Sequence, residues 1–277
     1  CVTVLRKHLP ILAILVNLAV ISISAVAAEE VRDFKYKRDL PSHQIKTGFD
    51  FLTPESQALQ VDYFANPGFL WVDRGEILFR EKTGRQSCES CHDGRGESSL
   101  AGAATHFPRL VSDKLASDKL INLEGQINQC RLQNQQLPKL EYESEKLLSL
   151  TAYVASLSRG MPYSASMTEA TRPYFDRGRG YFFQRRGQLN LACTQCHDDN
   201  WGKLLRGDKI SQGHPNAYPG YRLEWQTFGS LHRRIQDCDV GVKAEPFDAG
   251  SSIYLELELY LAWRAKNLAL ESPGIRR

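Results

Sequence analysis

Two similar helix-rich units in tandem, mainly α throughout, are what this 277-residue sequence specifies, and three features carry that expectation. A five-residue motif occurs twice, as Cys88-Glu89-Ser90-Cys91-His92 and as Cys193-Thr194-Gln195-Cys196-His197. Related residues precede each copy, Asp73-Arg74-Gly75-Glu76-Ile77-Leu78-Phe79 and Asp176-Arg177-Gly178-Arg179-Gly180-Tyr181-Phe182, so the chain contains an internal repeat of small-domain length. Each copy is followed at a distance by an uninterrupted stretch with helical apolar spacing. These are Leu147, Leu150, Val154 and Leu157 in the first half and Ile253, Leu257, Tyr260, Leu261 and Leu268 in the second.

Residues 1–27 read as a signal peptide. They have a basic start (Arg6, Lys7), an apolar run from Leu9 to Ile23 and the small-residue cleavage pattern Ala25-Val26-Ala27. Pro10, Asn17, Ser22 and Ser24 interrupt the run and weigh against a retained membrane span. The expectation is therefore export to a bacterial periplasm, with no membrane attachment after cleavage. Residues 28–70 form an extension expected to pack on the first unit, which runs over 71–160; the second runs over 161–277. The boundary falls near Ser158-Arg159-Gly160-Met161-Pro162. Each unit reads as helix, motif, long irregular segment (Gly202 to Gly220, for example) and closing helix. Gly75 and Gly178 would let the first helix approach the closing helix, with Tyr153 and Tyr260 or Trp263 as aromatic contacts. Leu255-Glu256-Leu257-Glu258-Leu259 alternates like a strand. No Gly or Pro breaks the segment through Leu270, however, and that length favours a helix.

The formal net charge is +3, and loss of Arg6 and Lys7 with the leader lowers it. No long basic stripe with interleaved aromatics is present, which argues against a nucleic-acid partner. In an oxidising compartment cysteines default to disulfides, but four of them belong to the repeated motif. Cys-x-x-Cys-His attaches haem c because thiols at that spacing reach the two vinyl groups while the adjacent imidazole faces the iron. A zinc site or a thioredoxin-like pair would not require the immediate His in both copies. Two covalent haems are thus expected, through Cys88, Cys91, Cys193 and Cys196, with His92 and His197 as iron ligands. The arrangement resembles the class I cytochrome c fold used twice, in which the apolar face of the haem helps to order the long loops.

Such a haem ordinarily takes methionine on its other face. The chain has only Met161 and Met167, and none follows Cys193. Cys130 and Cys238 occupy matching positions after His92 and His197, each ahead of its own closing helix, and are the candidate replacements. A Cys130–Cys238 disulfide is the competing reading, and His106, His214 and His232 are other candidate ligands. Thiolate ligation stabilises ferric iron and depresses the potential, a poor property for a plain carrier and a sensible one where the sulfur itself reacts.

If Arg234 to Cys238 forms a helical turn, guanidinium and sulfur share a face, an arrangement suited to a small oxyanion and to the thiolate form. Arg233 and Lys243 are either further anion contacts or partners of haem propionates. The two motifs, the cysteine in each unit and the run Arg234-Ile235-Gln236-Asp237-Cys238 followed by Gly241 together resemble the dihaem SoxA subunits of SoxAX cytochromes. That resemblance implies oxidative transfer of thiosulfate onto a cysteine of the carrier SoxYZ, giving an S-thiosulfonate, with two electrons leaving through SoxX to a small cytochrome c. It implies that His92 and Cys130 ligate the first iron and His197 and Cys238 the second, that Cys238 carries a reacting persulfide sulfur, and that Arg234 holds the substrate. Competing readings are a dihaem thiosulfate dehydrogenase forming tetrathionate and a non-catalytic dihaem electron carrier with bis-His ligation.

Overall fold

The computed structural model describes residues 41–277 except 96–98, 113–117 and 166; the expected signal segment lies outside the described residues. Helix α1 (Pro54–Val61) starts where Thr53 accepts a hydrogen bond from the Ser56 amide and Pro54 supplies a preset φ. Helix α2 (Phe69–Arg80) leads into the first Cys-x-x-Cys-His turn. A short hairpin, β1 (Arg109–Val111) with β2 (Lys119–Ile121), precedes α3 (Leu123–Cys130), which Asn122 caps by accepting from the Gly125 amide. A single π turn, Arg131–Gln135, continues α3, and α4 (Glu145–Ser156) follows its Ser144 cap.

The second half repeats this order. Helix α5 (Arg172–Phe183) precedes α6 (Cys193–His197), which contains the second motif. After a β3 (Leu204–Leu205) and β4 (Asp208–Lys209) hairpin come β5 (Gly220–Arg222) and β6 (Thr227–Gly229). Helix α7 (Leu231–Gly241) begins at Ser230, whose hydroxyl accepts from the Arg233 amide, and α8 (Ser252–Arg264) closes the unit. Strand β7 (Gly274–Arg276) then pairs in parallel with β5, giving a three-stranded sheet in the order β6-β5-β7. The protein is mainly α, and among the described residues no helix is long and apolar enough to cross a membrane.

The two glycines of the repeat behave alike. A Cβ at Gly75 would collide with the Ser149 carbonyl of α4, and a Cβ at Gly178 with the Glu256 carbonyl of α8. Helices this close exclude any side chain at the crossing. Tyr153 packs on Phe79 with ring centroids 5.1 Å apart, and Tyr260 packs on Phe175 at 5.4 Å and on Trp263 at 5.8 Å. Helix α8 is buried on every side from Tyr254 to Arg264, as a central core helix is. Its charged members are paired: Glu256 with Arg177, Glu258 with His232 and Arg264 with Asp198. The halves share a core in which Phe228 stacks on Trp71 at 5.3 Å beside Val72, Leu148 and Ala152.

Three details differ from the sequence expectation. The described part of the extension expected on the first unit, residues 41–70, makes many of its polar contacts to the second half. Gln44 and Lys46 bond Gln212, the Lys46 carbonyl meets His214, and Gln60 bonds Glu271, Ile275 and Arg276. These are polar contacts to backbone and to isolated side chains, which leave no periodic trace in sequence. The closing helix stops at Arg264 rather than running towards Leu270, because Asn267 turns left-handed (φ 74°) and its amide bonds the Tyr163 carbonyl. The segment from Gly202 to Gly220 contains a hairpin and the start of a sheet.

Candidate functional site

Helix α6 presents Cys193, Cys196 and His197 within five residues. The His197 Nδ1 lies 2.8 Å from the Ser211 carbonyl, which can only accept, so Nδ1 carries the hydrogen and Nε2 is left as a lone-pair donor. Gly213 abuts the ring so closely that a Cβ there would come within 2.9 Å of it, which fixes the imidazole plane. Burial, followed by the nearby Arg234 and Arg264 charges and opposed by the Ser211 bond, lowers the imidazole pKa to about 4, so the ring is neutral. A neutral, oriented imidazole next to two thiols on one turn fits covalent haem c.

Helix α7 brings Cys238 to this turn. Burial pushes the Cys193 thiol up to about 12, and the charge of Cys238 adds to it; Cys196 is raised by the same two causes. One turn earlier on α7, Arg234 is close to both sides of the site. Burial opposes its charge, yet Cys238 first, then Tyr218, Asp237 and Glu224, hold its pKa above the ordinary value. It also acts on His197. A guanidinium is thus near both the sulfur and the imidazole, and this arrangement both stabilises a thiolate and offers a fork to a divalent oxyanion.

A dense network holds the C-terminal end of α7. The buried Asp239 carboxylate accepts hydrogen bonds from Tyr181 (2.7 and 2.9 Å), Tyr254 (2.7 Å) and Arg186 (2.6 Å). Arg186 also donates to the Tyr181 hydroxyl. On the outer face Asp237 accepts from the Trp225 indole at 2.5 Å, and Arg233 stacks over the same indole at 4.4 Å. Arg233 is therefore engaged with Trp225. Lys243 is exposed, in left-handed backbone (φ 57°), with its carbonyl accepting from the Gln188 amide. No described contact brings its ammonium to Cys238. Sequence reasoning missed Asp239 although it adjoins Cys238, because its partners are Tyr181, Arg186 and Tyr254, far off in the chain.

The first motif forms a looser turn, in which the Cys91 and His92 amides bond the Cys88 carbonyl at 3.1 and 3.0 Å. Cys130, at the end of α3, lies near Cys88: burial raises that thiol and the Cys130 charge raises it further. The Gln126 amide donates to Cys130 at 3.4 Å and the Gln135 amide to Cys88 at 3.6 Å. All six described cysteines are free, so Cys130 and Cys238 form no disulfide and each lies beside its own motif. The three histidines considered as alternative ligands are engaged elsewhere. His106 bonds Ser164, His214 bonds the Lys46 carbonyl, and His232 bonds Glu258 and the Gly250 amide.

The family model described as SoxA/TsdA, cytochrome c domain, matches residues 74–163, and covalent haem c comes with that domain. The L-cysteine S-thiosulfotransferase subunit SoxA of Pseudaminobacter salicylatoxidans is 33% identical over 234 residues, 83% of this chain and 80% of that one. The subunit of the same name from Rhodovulum sulfidophilum is 32% identical over 84% of this chain and 80% of its own length. Among solved structures, SoxXA from P. pantotrophus superposes with a TM-score of 0.79 at 32% identity, covering 84% of this chain and 87% of that one. Likeness of this extent over most of both chains means that the protein belongs to the SoxA family of L-cysteine S-thiosulfotransferase subunits.

Proposed function

We propose that this protein joins thiosulfate to a cysteine of the carrier protein SoxYZ, as the SoxA subunit of a complex with SoxX. An S–S bond forms between the carrier sulfur and the terminal sulfur of thiosulfate; the carrier thiol gives up its proton, and two electrons pass through SoxX to a small cytochrome c. The observation that carries this reading is the placement of Arg234 and Cys238 one turn apart on α7, with Cys238 beside Cys193 and Cys196 and Arg234 beside His197. The name shared by the relatives supports the activity, and the likeness to SoxXA supports the partner.

Two tandem cytochrome c-like units, 71–160 and 161–277, each hold one haem in this reading. Cys88 and Cys91 attach the first, with His92 and Cys130 towards the iron; Cys193 and Cys196 attach the second, with His197 and Cys238 towards it. When bound, the haem supplies one-electron acceptance next to the reacting sulfur. Cys238 carries the extra sulfur as a persulfide. Arg234 binds the sulfonate oxygens and keeps the sulfur anionic, Ser211 orients His197, and Asp239 holds the end of α7 in place. Lys243 is a second cation beyond Cys238 that meets the incoming anion. Transport to the periplasm by residues 1–27 completes the reading.

Replacing Cys238 with Ala in the purified complex tests it, with carrier modification followed by mass spectrometry. Transfer is expected to fall to background, and undiminished attachment would remove Cys238 from the reaction. Tetrathionate formed from thiosulfate without a carrier would instead favour the dehydrogenase reading.

A further inference from the structure

Away from the haem turns, four helices line a small cavity of about 30 Å³, with Glu124 of α3, Thr151 of α4, Leu231 of α7 and Glu258 of α8 beside Tyr163 and Tyr218. That volume holds one or two waters. Glu124 and Glu258 are both buried, at 7% exposure each. Tyr163, 6% exposed, also lines the cavity. Two buried carboxylates lining one small cavity do not both ionise readily without a compensating cation, and among the described residues the groups facing them are Tyr142, Glu143, Tyr163 and His232, none of them a lysine or arginine.

The hydrogen bonds decide which carboxylate keeps a proton. The Gly250 amide donates to His232 Nδ1 at 2.8 Å, so the imidazole is neutral with its hydrogen on Nε2, aimed at Glu258 Oε2 3.0 Å away. Glu258 Oε2 also accepts from the Asn122 side-chain amide at 3.2 Å. Glu258 thus receives two donors and is the better placed of the two to hold the negative charge. Among the described residues Glu124 has its own backbone amide as donor, and burial followed by the charge of Glu258 raises its pKa to about 8. We propose that Glu124 and the adjoining cavity form a proton-binding site, in which Glu124 keeps its proton at neutral pH beside ionised Glu258. On binding, an O–H bond forms on Glu124 and the pair goes from two negative charges to one; the proton is exchanged with solvent water.

The site has a mechanical consequence. Asn122 caps α3, the helix that ends in Cys130, and His232 is in the first turn of α7, the helix that carries Cys238. Both bond the same Glu258 oxygen. Losing the proton places two like charges where the two helices start. Since the folded state prefers the protonated form, both first turns are held best at low pH and loosen as pH rises through the raised pKa of Glu124.

Infrared titration of the intact complex, with hydrogen exchange followed from about pH 5 to about pH 10, tests this. The wild type is expected to show a protonated carboxylic acid band at pH 7 that Glu124→Gln removes. Exchange in the first turns of α3 and α7, corrected for its intrinsic pH dependence, is expected to rise together in the wild type and to stay flat in Glu124→Gln. Absence of the band from the wild type overturns the proposal even if the variant does not fold, and so does a band or a joint rise that survives in the variant. Neither readout requires turnover, so the transferase assignment stands or falls separately.

Discussion

Arg234 carries a charge next to Cys238, and the substrate-binding role proposed for it can be separated experimentally from that of the proposed iron ligands. Arg234→Ala removes a charged hydrogen-bond donor worth roughly 1.5–3 kcal/mol, so KM for thiosulfate should rise about 10- to 100-fold. Haem absorption should be nearly intact, because in the proposed reading the arginine neighbours Cys238 and His197 without ligating the iron. Steady-state kinetics with a spectrum of the ferric protein checks both halves of that statement, and a collapsed spectrum would make Arg234 a structural residue. Asp239 should behave in the opposite way. Asp239→Ala leaves Tyr181, Tyr254 and Arg186 without their acceptor inside the protein, a loss of about 3–5 kcal/mol that should appear in the melting temperature. The sequence announces Cys238 and not Asp239 for a physical reason. The repeat places Cys238 opposite Cys130, and its spacing from Arg234 fits a helical turn, whereas the importance of Asp239 arises from three residues on α5, α8 and the loop after α5.

The repeated glycines were legible for what they do, since a helix pair that crosses at backbone contact leaves no other residue at the crossing. Helix α5 provides its own control. Gly178→Ala should clash with the Glu256 carbonyl and cost at least about 1–3 kcal/mol, seen as a lower melting temperature. Gly180→Ala, two positions along the same helix with open space around it, should gain roughly 0.5–1 kcal/mol. Equal effects would mean that helix propensity rather than close packing governs this crossing. The closing helices were readable because apolar spacing persists for a dozen residues. The strands β3 to β7 were not, since each is two or three residues long and is defined by its partners.

Whether the two repeats are independent units is a question about the whole molecule, and the sequence boundary near Met161 does not answer it. The shared core argues for joint unfolding. Phe228, 1% exposed, belongs to the second half but stacks on Trp71 and touches the cluster of Val72, Leu148 and Ala152 from the first. Asn122 of the first half bonds Glu258 of the second, and Gln60 of the extension ties to the C-terminal strand. Phe228→Ala opens a cavity in that seam and should cost about 3–5 kcal/mol. If the seam makes one cooperative body, hydrogen exchange in the slowest amides of α4 and of α8 should accelerate by the same factor. Acceleration confined to α8 would show that each repeat unfolds alone and that the seam adds contact without cooperativity.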